Sequence, residues 1–220
     1  MAMTDLDTVS LPLSEQAYLR IRDQIVTLSL PPGSVIEESR LRQELGLGRT
    51  PIREALKRLA QEDLVAVIPN RGTFVAGIAI TDLAAITEIR VELEGFAFGL
   101  AAERATADEC AAFRELISEL EAIQSDGRAL GSEALMQVDQ RLHQAVYRAT
   151  HNRFLEDALE RYFRLSLRLW HLVLDRVHME EAVQEHREIL EAIVAGDGSL
   201  ASAAIRRHVI AFEQAIRKVL

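Results

Sequence analysis

Residues 46–77, "GLGRTPIREALKRLAQEDLVAVIPNRGTFVAG", change their hydrophobic period partway along. Ile52, Ala55, Leu56 and Leu59 recur at helical spacing, and the pattern then gives way to two short apolar runs, 64–68 and 73–77, around "PNRG". Helix followed by hairpin is the one reading that satisfies both periods. Upstream, Ala17, Ile21, Ile25 and Leu28 predict a helix over 14–28, closed by "LPPGS". Leu41 and Leu45 predict a short helix over 38–45, and Gly46 to Gly48 a tight turn into a third helix from Pro51 to Gln61. Three helices and a hairpin, with the second and third joined by a glycine turn, make a winged helix-turn-helix over residues 10–77.

Charge placement supports the same reading. Thr50 is the expected N-cap of the third helix and Pro51 its first residue. Arg49 and Arg53 therefore flank a helix N-terminus, where the dipole disfavours cations by a few tenths of a kcal/mol. Facing DNA, the same cations meet phosphate or the O6 and N7 edge of guanine, worth about 1–3 kcal/mol per good bidentate pair. The larger effect favours a DNA reader; the alternative is a pair of solvated arginines satisfied by Glu54 or Glu44. The chain carries a net charge of -9, but residues 1–78 hold nine Lys and Arg against ten Asp and Glu, while 79–220 hold 16 against 24. Within 39–58, Arg40, Arg42, Arg49, Arg53, Lys57 and Arg58 face only Glu44 and Glu54, a local excess that suits a polyanion. Arg71 falls at the wing tip, and Gly72 lets the backbone approach a partner closely.

From Thr81 onward the pattern is helical throughout, with helices expected over 81–104, 106–125, 131–150, 152–175, 178–195 and 198–219. Breaks fall at Thr106, "SDGR", "THN", "DRVH" and "GDGS", with Asn152 ending one helix and Gly196 another. Residues 78–80 are the expected hinge, so the chain reads as mainly α: a winged head and a six-helix bundle over 81–220. No run of 18 apolar residues points to a membrane span. The single Cys110 excludes an internal disulfide. The N-terminus lacks a basic-then-apolar export signal. Together these point to the cytoplasm.

Three of the six histidines fall on inward stripes: His208 among Ala201, Ala204, Ile205, Val209, Phe212, Ile216 and Val219; His186 among Val183, Leu190, Ile193 and Val194; and His143 on the edge of the face carrying Leu135, Val138, Leu142 and Val146. Asp139 lies one turn before His143, on the same side of its helix. A carboxylate and three imidazoles converging inside a bundle suit zinc first, with nickel, iron or manganese as alternatives; each histidine taken singly also reads as an ordinary core residue. His151, His171 and His178 read as surface groups, though His171 is near enough to reach a cavity. Helix 81–104 is expected to bury Leu83, Ile86, Leu93, Ala97 and Leu100, with Arg90 interrupting the stripe. Arg90 either pairs internally with Glu94 or grips an anionic effector. Tyr147 is a further candidate lining residue; Trp170 reads rather as core.

The stretch from Ile21 to Val75, with Pro31-Pro32-Gly33, Gly48 to Leu56 and Asn70 to Val75, resembles the winged-helix domain of GntR-type bacterial transcription regulators. The resemblance implies DNA contacts from Arg49 and Arg53. Gly48 stands where that family usually has Ser, and Ser39, with Arg40 beside it, stands where an early arginine of the second helix can contact DNA. Residues 80–218 resemble the FCD domain, the effector-binding bundle of the FadR subfamily, and the six expected helices resemble its VanR-type branch. That resemblance implies the metal set Asp139, His143, His186 and His208. It also implies a homodimer on a palindromic double-stranded operator, answering to a small organic acid and in most cases repressing. The rival class is a metal-dependent hydrolase built on the same Asp and three His, but no general base of the H-E-x-x-H kind accompanies them. A non-enzymatic, metabolite-responsive regulator is the reading adopted.

Overall fold

In a computed structural model, residues 11–125, 132–173, 176 and 180–219 are described. They form two compact units, one running to Ile80 and including Leu167–Leu172, the other comprising Thr81–Ser166 and the chain from Val173 onward.

The first unit contains α1 (Leu13–Val26), α2 (Glu38–Leu45), α3 (Arg49–Gln61), β1 (Val65–Ile68) and β2 (Gly72–Val75). Ala17, Ile21 and Ile25 of α1, at four-residue steps, and Ile52 and Leu59 of α3, two turns apart, are fully enclosed because each set shares one face of its helix. Arg58 fixes the crossing of α1 and α3: it pairs with Glu15 at 2.7 Å and lies over the Tyr18 ring, whose hydroxyl donates to Glu62. α1 ends earlier than its periodicity suggests, at Val26, and Leu28 takes a left-handed φ of 59° outside it. Gly46, at φ 66°, closes α2 with its N–H on the Arg42 carbonyl. α3 then starts two residues before the expected Pro51. Gly48, in extended backbone, is the N-cap, and Thr50 lies inside the first turn with no capping hydrogen bond. Pro51 is accommodated because no first-turn N–H has an intrahelical partner. β1 and β2 pair antiparallel, Val65 opposite Val75 and Ile68 opposite Gly72. β2 ends at Val75 rather than 77, although the Ala76 N–H still reaches the Leu64 carbonyl.

The second unit contains α4 (Ile80–Arg104), α5 (Ala107–Ser125), α6 (Ser132–Ala149), α7 (Arg153–His171, its last residues grouped with the first unit), α8 (Glu180–Val194) and α9 (Gly198–Val219). Their boundaries follow from local chemistry. Thr106 and Glu109 form a reciprocal capping box at the start of α5. Asn152, expected to end a helix, instead begins one: its side-chain oxygen accepts the N–H groups of Phe154 and Leu155, while His151 supplies the left-handed residue at φ 53°. Gly196 (φ 74°) ends α8 and Asp197 caps α9. α7 stops at His171 rather than 175; residues 174 and 175, and most of "SDGR" and "DRVH", lie outside the described residues. The buried face of α4 is Leu83, Thr87, Arg90, Glu94, Ala97, Phe98 and Ala101. Ile86, Leu93 and Leu100, expected inside, are only half-buried. α4 carries apolar residues on several faces, Ile89 and Phe96 among the exposed ones, while its buried face holds Thr87, Arg90 and Glu94, so periodicity alone does not choose its inward face.

Candidate metal centre and nucleic-acid interface

Three helices of the second unit bring four potential ligands together. α6 carries Asp139 and His143 one turn apart, α8 carries His186 and α9 carries His208. One ligand atom from each lies within 4.8 Å of all the others. The three Nε2 atoms face the same carboxylate oxygen, Asp139 Oδ1, at 3.4 Å from His143, 2.8 Å from His186 and 3.7 Å from His208. His143 is fully enclosed, and His186 and His208 are 2% and 6% exposed. Nε2 of His143 and of His186 are buried with no hydrogen-bond partner. Buried nitrogens are normally satisfied, and a cation among four such donors would satisfy them. Hard carboxylate and borderline imidazole donors suit a first-row divalent ion.

Without an ion, the carboxylate and the imidazoles balance one another's charge, and a metal would displace the imidazole protons. Burial pushes the Asp139 carboxyl up, but the surrounding imidazoles outweigh it and hold that carboxyl well below its ordinary range. Burial lowers His208, yet Asp139 and Glu185 overcome that and raise it to about 9. His143 is raised in the same way by Asp139 and Glu94, whereas His186 is lowered by burial and by His208 beside it.

The groups around the cluster were partly unforeseen. Arg90 and Glu94 form a buried ion pair on α4, with Arg90 Nη1 donating to Ser166 Oγ at 3.0 Å and its guanidinium near the rings of Phe163 and Phe212. Glu94 extends from that pair to His143, Oε2 lying 3.3 Å from Nδ1. Tyr147 is fully enclosed, its Oη 3.2 Å from the same Nδ1. Glu185 contacts His208 Nδ1 at 2.7 Å. Helical spacing marked Glu94 as the partner of Arg90, but nothing in the sequence linked Glu94 to α6 or Glu185 to α9, because those contacts cross between helices. Of the other histidines, His151 is exposed and pairs with Glu109 at 3.0 Å. His171 is half-buried rather than on the surface, and His178 lies outside the described residues. Trp170 is buried within the Leu167–Leu172 segment grouped with the first unit.

In the first unit the expected DNA-facing groups, Arg40, Arg49, Thr50, Arg53, Arg71 and Gly72, are all exposed. Arg49 and Arg53, 68% and 61% exposed, both approach Glu38 at the start of α2, at 3.8 and 3.4 Å. Their acidic neighbour is thus Glu38, not Glu54 or Glu44; Glu44 is held by Arg40 at 2.6 Å. Thr50 is exposed beside them. Such exposed pairs contribute little, so the guanidinium groups are available to phosphate. Arg58, counted in the basic cluster, is committed to Glu15 and Tyr18. Arg71 is exposed in the wing turn, next to Gly72 at φ 114°, a conformation L side chains rarely adopt.

Residues 13–75 match the family model of bacterial regulatory proteins of the gntR family, and residues 85–211 match the FCD domain. The chain is 31% identical over 210 residues to an uncharacterised HTH-type transcriptional regulator in an unstable DNA locus of Streptomyces ambofaciens, covering 92% of this chain and 84% of that one. It is likewise 31% identical to a probable D-xylose utilization operon transcriptional repressor of Paenarthrobacter nicotinovorans, covering 83% and 79%. Among solved structures, E. coli McbR/YncC superposes with a TM-score of 0.78 at 25% identity, covering 93% of this chain and 98% of that one. These relatives are regulators rather than enzymes, and no helix among the described residues is long and apolar enough to cross a membrane. The chain belongs to the GntR family of bacterial transcriptional regulators, with a winged helix-turn-helix for DNA followed by an FCD domain.

Proposed function

We propose that this regulator is a metabolite-responsive repressor whose operator affinity is set by a small carboxylate bound at a divalent metal held by Asp139, His143, His186 and His208. One observation carries the reading: three buried imidazole Nε2 atoms turn toward a single carboxylate oxygen, and two of them have no hydrogen-bond partner. Zinc fits first, with nickel, iron or manganese as alternatives. When bound, the ion supplies Lewis-acidic positions to an anionic ligand beyond the four protein donors. The chain's own residues do the rest. Asp139 supplies the negative charge and the three imidazoles fix the geometry; Tyr147, beside His143, and Arg90, through the guanidinium nitrogen not held by Glu94 or Ser166, would meet an effector carboxylate.

The head would bind a palindromic operator as one half of a homodimer, since two-fold symmetry in the protein is mirrored by two half-sites. A regulator acting on duplex DNA in this way would work in the bacterial cytoplasm. The effector would act through the linker at 78–80, and only to the extent that it binds the two arrangements of the heads with different affinity. Operator binding by zinc-loaded and zinc-stripped protein, each with a panel of small organic acids, tests the proposal. An acid that changes operator affinity only in the loaded protein supports it. Equal responses in both states refute the metal's role.

A further inference from the structure

The four inward donors account for one nitrogen of His208 and leave the other to be explained. His208 Nδ1 meets Glu185 Oε2 at 2.7 Å, while Nε2 faces Asp139. A metal-bound imidazole is neutral, with one N–H and one lone pair for the ion. A carboxylate at Nδ1 draws the N–H there and leaves the Nε2 lone pair pointing into the cluster. His143 repeats the pattern: its Nδ1 lies 3.3 Å from Glu94 Oε2, and its Nε2 turns inward.

We propose that Glu185 is a positioning residue of the metal centre, fixing His208 in the tautomer and ring orientation that present Nε2 to the ion. The inference rests on the metal reading given above. Glu185 and His186 are neighbours on α8, about 100° apart around the helix, as 3.6 residues per turn requires. One helix therefore supplies a ligand from one residue and an outer partner from the next. The negative charge also makes the imidazole a stronger donor, as outer carboxylates do for metal-bound histidines. Glu94 has the same relation to His143 but is also the counter-ion of buried Arg90, so replacing it disturbs two things at once. Glu185 is 36% exposed in its side chain, and its replacement leaves His208 still facing Asp139, so less is disturbed than at Glu94.

The competing role is an ordinary ion pair that ties α8 to α9 and does nothing for the metal. Full-length wild type, Glu185→Gln and Glu185→Ala, each also in a His208→Ala background, separate the two. Zinc affinity is read by chelator competition, the site geometry by the visible spectrum of the cobalt(II) form, and the fold by the melting temperature of metal-free protein. Glu185→Ala is expected to weaken zinc about 10–100-fold, with a smaller loss for Glu185→Gln, which keeps an acceptor oxygen. The cobalt spectrum should change, the metal-free melting temperature should fall only slightly because Asp139 still faces His208, and the loss of zinc affinity should disappear when His208 is already alanine. Wild-type affinity and spectrum in Glu185→Ala overturn the positioning role and leave the metal site standing. A loss of equal size in the His208→Ala background also overturns it, because the effect would then not pass through His208. Wild type that takes up none of zinc, cobalt(II), nickel, iron(II) and manganese(II) overturns both readings.

Discussion

Arg90 Nε and Glu94 Oε1 lie 2.6 Å apart, with 4% and 1% of the two side chains exposed. The sequence left two roles open for Arg90, internal partner or effector anchor. The geometry commits Nε to Glu94 and Nη1 to Ser166. Truncating one member of a buried pair leaves an uncompensated charge, so Arg90→Ala should cost about 3–5 kcal/mol in urea unfolding. Arg90→Met keeps the apolar stem but also strands Glu94, and it should lose much of the same stability. Arg90→Met with Glu94→Leu should recover most of it. A single Arg90→Met as stable as wild type would mean that the pair contributes nothing.

The same pair sets an acid limit. Burial pushes the Glu94 carboxyl up, but Arg90 and then His143 outweigh it and bring it down to about 2. A carboxyl depressed on folding contributes stability that is fully present above its unfolded value and is lost as pH falls through the folded one. Metal-free protein should therefore lose stability from about pH 4.5, the ordinary value of a glutamate, down toward pH 2. The Arg90→Met, Glu94→Leu double variant should lose less over that range. Melting temperature against pH for the two proteins measures the difference; parallel curves would contradict it.

At the DNA face, Arg53→Ala should cost about 1–3 kcal/mol on a specific operator if its guanidinium reads guanine. Arg71→Ala should weaken binding evenly across sequences, as loss of a phosphate contact does. Log affinity should fall linearly with log salt. Glu38 adds a test of opposite sign. Because it faces both Arg49 and Arg53, Glu38→Gln should raise DNA affinity a few-fold at low salt. Unchanged binding in all three variants would remove this surface from the interface.

Gly72 tests the wing. At φ 114° a Cβ is strained, so Gly72→Ala should loosen the hairpin and lower operator affinity with little effect on metal content. Equal loss of both would show the strain spreading beyond the first unit.

What the sequence made legible was local. Apolar spacing located α1 to α3 and the hairpin, because a helix and a strand repeat at different periods. The i,i+4 spacing of Asp139 and His143, and the inward positions of His186 and His208, pointed to the cluster found. Boundaries were less legible. Gly48 rather than Thr50 caps α3, and Asn152 begins a helix instead of ending one, because a cap is decided by backbone angles that several neighbouring residues can supply. The inward face of α4 differs from the expected one at Ile86, Leu93 and Leu100, since apolar residues lie on several of its faces and the buried one carries Arg90 and Glu94. Partners drawn from different helices, Glu38 with Arg49 and Arg53, Glu94 with His143 and Glu185 with His208, leave no trace in spacing at all.

Elemental analysis of the full-length protein, purified without added metal or chelator, bears most directly on the proposed regulatory site, with His186→Ala/His208→Ala measured beside wild type. Three imidazoles and one carboxylate make one four-donor site, so wild type should carry about one divalent ion per chain. The double variant should carry almost none and melt at a lower temperature, since binding and bundle folding are linked. Wild type free of metal, or equal metal in both proteins, would contradict the assignment of Asp139, His143, His186 and His208 to a metal.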